Sequence, residues 1–277
     1  MTASGTADDR PASAPLPGLH RLQALPHWRS VDLLSDLHLQ QDLPATAAAL
    51  RQHLLQTPAE AVLILGDLFE AWVGDDAAAE GFEQECATWL GEAASRRWIG
   101  FMAGNRDFLV GPAFLRSCGL HALPDPTLLE FGTERFLLTH GDALCLADVD
   151  YQRFRLQVRS PQWQRQFLAQ PLGQRRQIAA QLRQASEQRK RDSGPEAYAD
   201  VDTACALRWL DEAQAHVLVH GHTHKPASHA LSPGHTRHVL SDWDLDHAAL
   251  GHPVRAEVLR LGVDGRVARI DLAARAG

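Results

Sequence analysis

Residues 217–226 read VLVHGHTHKP. A short apolar run, Val217 to Val219, leads straight into His220, His222 and His224. Continuous apolar runs of this length suit strands covered on both faces. In an extended chain, residues two apart point to the same side, so His222 and His224 can aim two nitrogen donors at one small volume.

The same grammar recurs upstream. VDLLS (Val31 to Ser35) leads into Asp36 and His38, and AVLIL (Ala61 to Leu65) into Asp67, Asp75 and Asp76. WIGFMA (Trp98 to Ala103) leads into Asn105, Arg106 and Asp107, and RFLLT (Arg135 to Thr139) into His140 and Asp142. Helical segments are predicted around Ala45 to Gln56 and Gly81 to Arg96. Strand alternating with helix points to an α/β protein. The C-terminal third (HVLSDWD, VRAEVLRL, RVARIDL) alternates like antiparallel strands, which predicts mixed sheets. Ligands in open α/β sheets bind beyond the carboxyl ends of strands. If these strands share a sheet, the five polar clusters converge.

The converging donors would be Asp36, His38, Asp67, Asn105, His140, His222 and His224. They are all oxygen and nitrogen, which suits Mn²⁺, Fe²⁺, Zn²⁺ or Mg²⁺. Seven donors exceed one tetrahedral ion and fit two ions sharing a carboxylate, with positions left for water. Taken singly, Asp36 reads as a helix cap and Asp67 and Asn105 as turn residues. Their common place at strand ends is what points to a metal centre. Asp75, Asp76, Asp142 and Asp242 read as supports for ligating histidines. Trp72, Phe108 and Trp243 read as core.

Length and charge narrow the class. The chain has 277 residues, 45% of them apolar, and a net charge of −7, which argues against general nucleic-acid binding. Cys86, Cys118, Cys145 and Cys205 form no CxxC pair, so no zinc ribbon or redox motif is expected and a reducing compartment is. No apolar run reaches the roughly 20 residues that span a bilayer. Residues 1–28 lack the apolar stretch of a secretory signal, and their Pro, Ala and Ser content predicts a disordered tail. The domain proper is expected over 29–277, with an inserted helical lid over about 149–200. Within the lid, Tyr151 to Arg191 carries ten Lys or Arg and one acid, Glu187, interleaved with Phe154, Leu156, Trp163, Phe167 and Leu182. Pro161 and Pro171 divide it into short helices. A basic, partly apolar cap suits an anionic, greasy ligand or an anionic membrane surface.

The motif order SDLH, GDLFE, GNRD, THGD, HGHTHKP resembles the calcineurin-like metallophosphoesterase superfamily, over roughly Val31 to Pro226. LGDLFEAWVGDD, GNRDFLVG, THGDALCLAD, YQRFRLQVRSP and VHGHTHKPA resemble more closely its UDP-2,3-diacylglucosamine diphosphatase family of lipid A synthesis. The resemblance implies an αββα sandwich of mixed sheets and a lid over acyl chains. It implies two Mn²⁺ ions, one held by Asp36, His38, Asp67 and His224, the other by Asp67, Asn105, His140 and His222. Asn105, Arg106 and His222 would serve catalysis and phosphate contact, and Asp148, Tyr151, Ser186 and Lys190 would contact substrate. The stretch SEQRKRDSGPEAY departs from the family in length, so the basic contact falls among Arg189, Lys190, Arg191 and Ser193. The substrate implied is a lipid-linked nucleotide sugar, met by a peripheral protein on the cytoplasmic side of the inner membrane. Many superfamily members have GNH where this chain has Gly104-Asn105-Arg106. A histidine there can protonate a departing alkoxide, whereas a phosphate monoester leaves as an anion. Arg106 therefore fits cleavage of a diphosphate.

Overall fold

The computed structural model describes residues 14–193 and 199–275. In chain order the strands are β1 (His20–Gln23), β2 (Ser30–Leu34), β3 (Ala61–Leu65), β4 (Trp98–Met102), β5 (His121–Leu123), β6 (Thr127–Phe131), β7 (Glu134–Leu138), β8 (Val217–His220), β9 (Ala227–Ser232), β10 (His235–Val239), β11 (Glu257–Gly262) and β12 (Val267–Asp271). The helices are α1 (Pro44–Gln56), α2 (Gly81–Ala94), α3 (Pro112–Cys118), α4 (Val149–Val158), α5 (Pro161–Leu168), α6 (Leu172–Ser193) and α7 (Thr203–Ala213).

The strands form two six-stranded sheets, ordered β1-β6-β7-β8-β10-β9 and β12-β11-β2-β3-β4-β5. Residues alternate between two buried faces, which is why the strands read as unbroken apolar runs. Leu33, Leu63 and Leu65 pack against Leu129, Phe136, Leu138 and Val219 between the sheets. Leu34, Val62 and Ile64 face outward onto Leu50 and Leu54 of α1 and Leu90 of α2. On the opposite side, Leu128, Leu137 and Leu218 pack on Trp209 and Leu210 of α7. The architecture is the expected αββα sandwich.

The five motif-bearing strands do not share a sheet. β2, β3 and β4 lie mutually parallel in one, and β7 and β8 lie parallel in the other. Parallel neighbours bring their carboxyl ends to one edge, and the two edges face across the sandwich. Apolar pattern alone cannot assign a buried strand to one of two sheets, because both bury both faces.

The expectation of a disordered tail through residue 28 fails in its second half. β1 pairs in parallel with β6, from His20↔Thr127 to Gln23↔Glu130. The Ala14 carbonyl accepts from the Trp209 indole at 3.0 Å, and Trp28 is buried between the sheets. As an edge strand of largely exposed HRLQ, β1 has no apolar signature to read. Residues 1–13 lie outside the described residues.

Three helices, α4 to α6, follow the His140 loop. Pro161 opens α5, where the Ser160 hydroxyl accepts from the Trp163 N–H at 3.3 Å, and Pro171 directly precedes α6. Arginines tie these helices to the sandwich: Arg175, almost fully buried, binds Asp76 and the Val73 carbonyl, and Arg155 donates to Asp142 at 2.8 Å.

A second buried charge pair locks α1 to the sheet. Asp32 on β2 is inaccessible to solvent and accepts from Arg260 of β11 at 2.6 and 2.8 Å and from the Thr57 hydroxyl at 2.6 Å, with His53 at 3.1 Å. Burial pushes its pKa up, but the bonds from Arg260, His53 and Thr57 outweigh that and bring it down from 3.8 to about 2. The stabilisation from this depressed carboxyl is present above its unfolded pKa and is lost as pH falls from about 4 through 2. It corresponds to about 2 kcal/mol. Denaturant unfolding as a function of pH should show that loss, and Asp32→Asn should flatten it while lowering stability at neutral pH.

Candidate active site

Asp36, His38, Asp67, His222 and His224 all adopt left-handed backbone, with φ of 55°, 49°, 55°, 65° and 52°. Among the described residues the sixth non-glycine case is Gln214, which ends α7. Such conformations cost on the order of 1–3 kcal/mol each and persist where surrounding structure over-determines them. The alternation expected for an extended chain is therefore not what aligns Asp36 with His38 or His222 with His224. Each pair is aligned by left-handed residues just past a strand end.

The loops interlock across the two sheets. Asp36 after β2 accepts from the His222 N–H with both oxygens, at 3.1 and 2.9 Å. His140 after β7 has Nδ1 at 2.9 Å from the Leu65 carbonyl that ends β3, which makes Nδ1 the protonated nitrogen and leaves the Nε2 lone pair facing inward. Two glycines allow this closeness. A Cβ on Gly66 would meet His140 Nδ1 at 2.5 Å, and one on Gly104 would collide with the Asp67 carboxylate and backbone. Asp107, fully buried, accepts from the N–H groups of Gly104 and Leu68, each at 2.7 Å, so it knits the GNRD loop to the GDLFE loop. Burial and the neighbouring Asp67 charge push its pKa up to about 7 against those bonds.

All seven predicted donors come together. His38 Nε2 lies 3.3 Å from His224 Nε2 and 4.0 Å from Asp67 Oδ2, and His224 Nε2 lies 3.4 Å from Asp36 Oδ1. On the other side, Asn105 Oδ1 lies 2.9 Å from His140 Nε2 and 2.8 Å from His222 Nδ1, and His140 Nε2 is 3.7 Å from the same Asp67 Oδ2. Asp67 Oδ1 accepts from the Arg106 N–H at 2.8 Å, so Oδ2 is the oxygen that faces both halves. This oxygen and nitrogen donor set fits divalent cations. The His38 and His224 Nε2 atoms, 3.3 Å apart, need a proton or a cation between them. The field around His140 is negative: burial opposes charge on it, yet Asp67, Asp36 and Asp142 raise its pKa to about 9, so a cation at Nε2 would take the place of a proton. His222 goes the other way, lowered to about 3 by burial and by His140, and stays a neutral donor.

Glu70, which the sequence reading passed over, organises the site. Its Oε2 lies 2.9 Å from His38 Nδ1, which orients the imidazole with Nε2 inward. Its Oε1 lies 3.4 Å from Arg106 and 3.3 Å from Arg183 of α6. Burial raises its pKa, but His38, Arg106 and Arg183 bring it down to about 2. The available signal was its spacing, three residues past Asp67 in GDLFE. Of the four acids expected to support histidines, Asp242 lies 3.7 Å from His224, and Asp142 acts on His140 through its charge. Asp75 binds the Gly111 and Phe114 N–H groups, Asp76 binds Arg175, and Asp142 binds Tyr151, Arg155 and Arg159 of α4 and its end. Spacing cannot tell a carboxylate that steadies a ligand from one that steadies a lid.

Arg106, Asn105 and Tyr151 line a cavity of about 240 Å³ between the sandwich and α4–α6. Its remaining wall includes Trp72, Val73, Phe108, Phe154, Trp163, Phe167 and Leu182. Trp72 and Phe108 thus belong to the cavity wall as well as the core, and Trp243 to the core. The Tyr151 ring stacks near His222, centroids 5.8 Å apart. Asp148 caps α4 by accepting from the Tyr151 N–H at 3.0 Å, and its neighbour Asp150 lines the cavity. Ser186, Arg189, Lys190, Arg191 and Ser193 fall on α6 with side chains outside the described residues.

Residues 30–226 match the calcineurin-like phosphoesterase family, and the chain belongs to it. It is 44% identical over 241 residues to a Bordetella pertussis protein named UDP-2,3-diacylglucosamine hydrolase, covering 84% of this chain and 92% of that one. Proteins of the same name from Chromobacterium violaceum and Xanthomonas axonopodis pv. citri are 43% and 41% identical, covering 77% and 84% of this chain and 90% and 95% of theirs. Vacuolar Protein Sorting 29 from Cryptosporidium parvum superposes with a TM-score of 0.43 at 16% identity, covering 88% of this chain and 96% of that one.

Glu70→Ala should weaken divalent-metal affinity by about 10- to 100-fold with the fold retained, as titration of the metal-free protein would measure. Gly104→Ala should abolish metal binding, while Gly173→Ala, whose added Cβ meets nothing, should leave it unchanged.

Proposed function

We propose that the protein hydrolyses UDP-2,3-diacylglucosamine, giving UMP and 2,3-diacylglucosamine 1-phosphate, with two Mn²⁺ ions at the seven-donor cluster. The observation that carries this is the cavity. One end presents Asn105 and Arg106 beside the clustered donors, and most of the rest is aromatic and aliphatic wall, with Asp150 and Arg183 among it, under arginine-rich helices. Such a cleft takes a molecule that is diphosphate at one end and hydrocarbon at the other. The names of the relatives support the same substrate.

When bound, two divalent cations supply a nucleophile from water near neutral pH and positive charge for the phosphoryl oxygens. The chain's own residues do the rest. Asp36, His38, Asp67 and His224 would hold one cation, and Asp67, Asn105, His140 and His222 the other. The Arg106 fork grips a phosphate oxygen pair, and Glu70 keeps the guanidinium at the cavity wall. The His222 ring, neutral and packed beside Tyr151, borders the sugar and phosphate end without adding a competing charge. The uridine-side phosphorus is attacked, and the departing sugar 1-phosphate leaves as an anion that needs no proton from the protein. Arg106 therefore neutralises charge where a general acid would serve a phosphodiester. The helices exclude water from the acyl chains.

The same helices leave Leu156, Leu168 and Leu182 exposed among arginines. We infer peripheral attachment to the anionic cytoplasmic face of the inner membrane, where this substrate lies. No helix among the described residues is long and apolar enough to cross a membrane. High salt should strip the protein from vesicles containing anionic lipid if charge dominates attachment.

Turnover of the diacylated UDP-sugar should require Mn²⁺ and stop in chelator. In ¹⁸O water the label should appear in UMP. Arg106→Ala should lower kcat/KM by about 100-fold. Equal turnover of simple alkyl phosphodiesters, or label in the sugar phosphate, would overturn this reading.

A further inference from the structure

We propose that Asp244, His247 and His252 form a third metal site, separate from the seven-donor cluster, for a borderline divalent cation such as Zn²⁺. The three lie in the connection from β10 to β11, and their donor atoms fall within 4.8 Å of one another. The loop is built to bring them together. Asp244 and Arg255 exchange backbone hydrogen bonds at 2.8 and 2.9 Å, which closes its base. Asp246 anchors that base to α1 by accepting from the Ala45 and Thr46 N–H groups at 2.8 and 3.0 Å. Gly251, with φ of 83°, then turns the chain so that His252 returns over His247, the ring centroids 5.7 Å apart.

The Asp244 carboxylate meets backbone and imidazole together. Oδ1 accepts from the N–H groups of Asp246 and His247 at 3.1 and 3.0 Å, so the backbone sets its orientation, and it also lies 3.1 Å from His247 Nδ1. Oδ2 faces the two imidazoles, 3.1 Å from His247 Nδ1 and 3.8 Å from His252 Nδ1. Two donors each about 2.1 Å from a tetrahedral zinc ion are about 3.4 Å apart, and the two observed separations bracket that value. The His247 contact is an ordinary hydrogen-bonded pair. His252 Nδ1, 3.8 Å from the same Oδ2 and beyond hydrogen-bond range, adds a third donor where one cation joins all three.

Two imidazoles and one carboxylate select a transition metal over Mg²⁺ or Ca²⁺, which prefer oxygen donors. The His247 and His252 side chains are 39% and 61% exposed, so the remaining coordination positions open to water and the cation can exchange. The site shares no residue with the seven-donor cluster. It does border it: next to Asp244, the Trp243 N–H donates to the Asp36 carbonyl at 3.0 Å. A cation joining Asp244 to His252 would therefore brace the same segment that backs Asp36.

The test is equilibrium dialysis of the whole chain against Zn²⁺, counting bound metal. The unaltered protein should hold one equivalent more than His252→Gln or His247→Ala/His252→Ala, and His252→Cys, which restores a donor, should regain it. Zinc added beyond the content of the seven-donor cluster should raise the Tm of the unaltered protein and not that of His252→Gln. Without added zinc, the two should have equal Tm and equal hydrolytic activity. Equal zinc content across the unaltered chain and both loss variants, or a zinc-dependent Tm rise that survives in them, would overturn the proposal.

Discussion

Asp36 and Asp67 are carboxylates with almost no access to water, and each faces imidazole nitrogens carried by the opposite sheet. A buried anion is strongly destabilising unless it is paired or hydrogen-bonded. That requirement dictates the loops around it. Asp36 draws in the His222 N–H and the Ser35 hydroxyl, and Asp67 draws in the Arg106 N–H. What these donors leave unmet is positive charge at the centre. Divalent cations, which membership of the phosphoesterase family implies, would meet that need.

Holding the carboxylates there requires backbone that ordinary side chains resist. Five of the donor residues take left-handed φ, and Gly66 and Gly104 open the space for His140 and Asp67. The strain is tolerable because the strands beneath are among the most buried parts of the chain. β2, β3, β7 and β8 supply rigid parallel ends, and their short loops have little freedom to relax. The chemistry and the sandwich are thus one construction: the core fixes strand ends, and strand ends fix donor directions.

The arginine-rich helices are wired into the same charges. Glu70 joins His38, Arg106 and Arg183, and Asp142, two residues past His140, holds Tyr151, Arg155 and Arg159. Arg159 also donates to the Gly104 carbonyl at 2.9 Å. Displacement of these helices would expose both carboxylates and loosen the orientation of His38. A ligand filling the cavity and a cation filling the cluster therefore act on shared residues, so cleft and metal centre are coupled through ordinary ion pairs.

Much of this was written locally. Apolar runs followed by Asp, Asn and His mark strand ends and their donors, because a buried strand needs continuous hydrophobicity and a metal needs those few side chains. The clustering side chains and the α/β class are legible from residue order. The tertiary structure decided what short-range pattern cannot encode. It split the motif strands between two sheets, made an edge strand of the polar HRLQ segment, gave Glu70 its place beside His38, and made Asp75, Asp76 and Asp142 anchors of loops and helices. Each of those outcomes depends on which distant segments meet. That is settled by packing and by the pairing of buried charge across the whole fold.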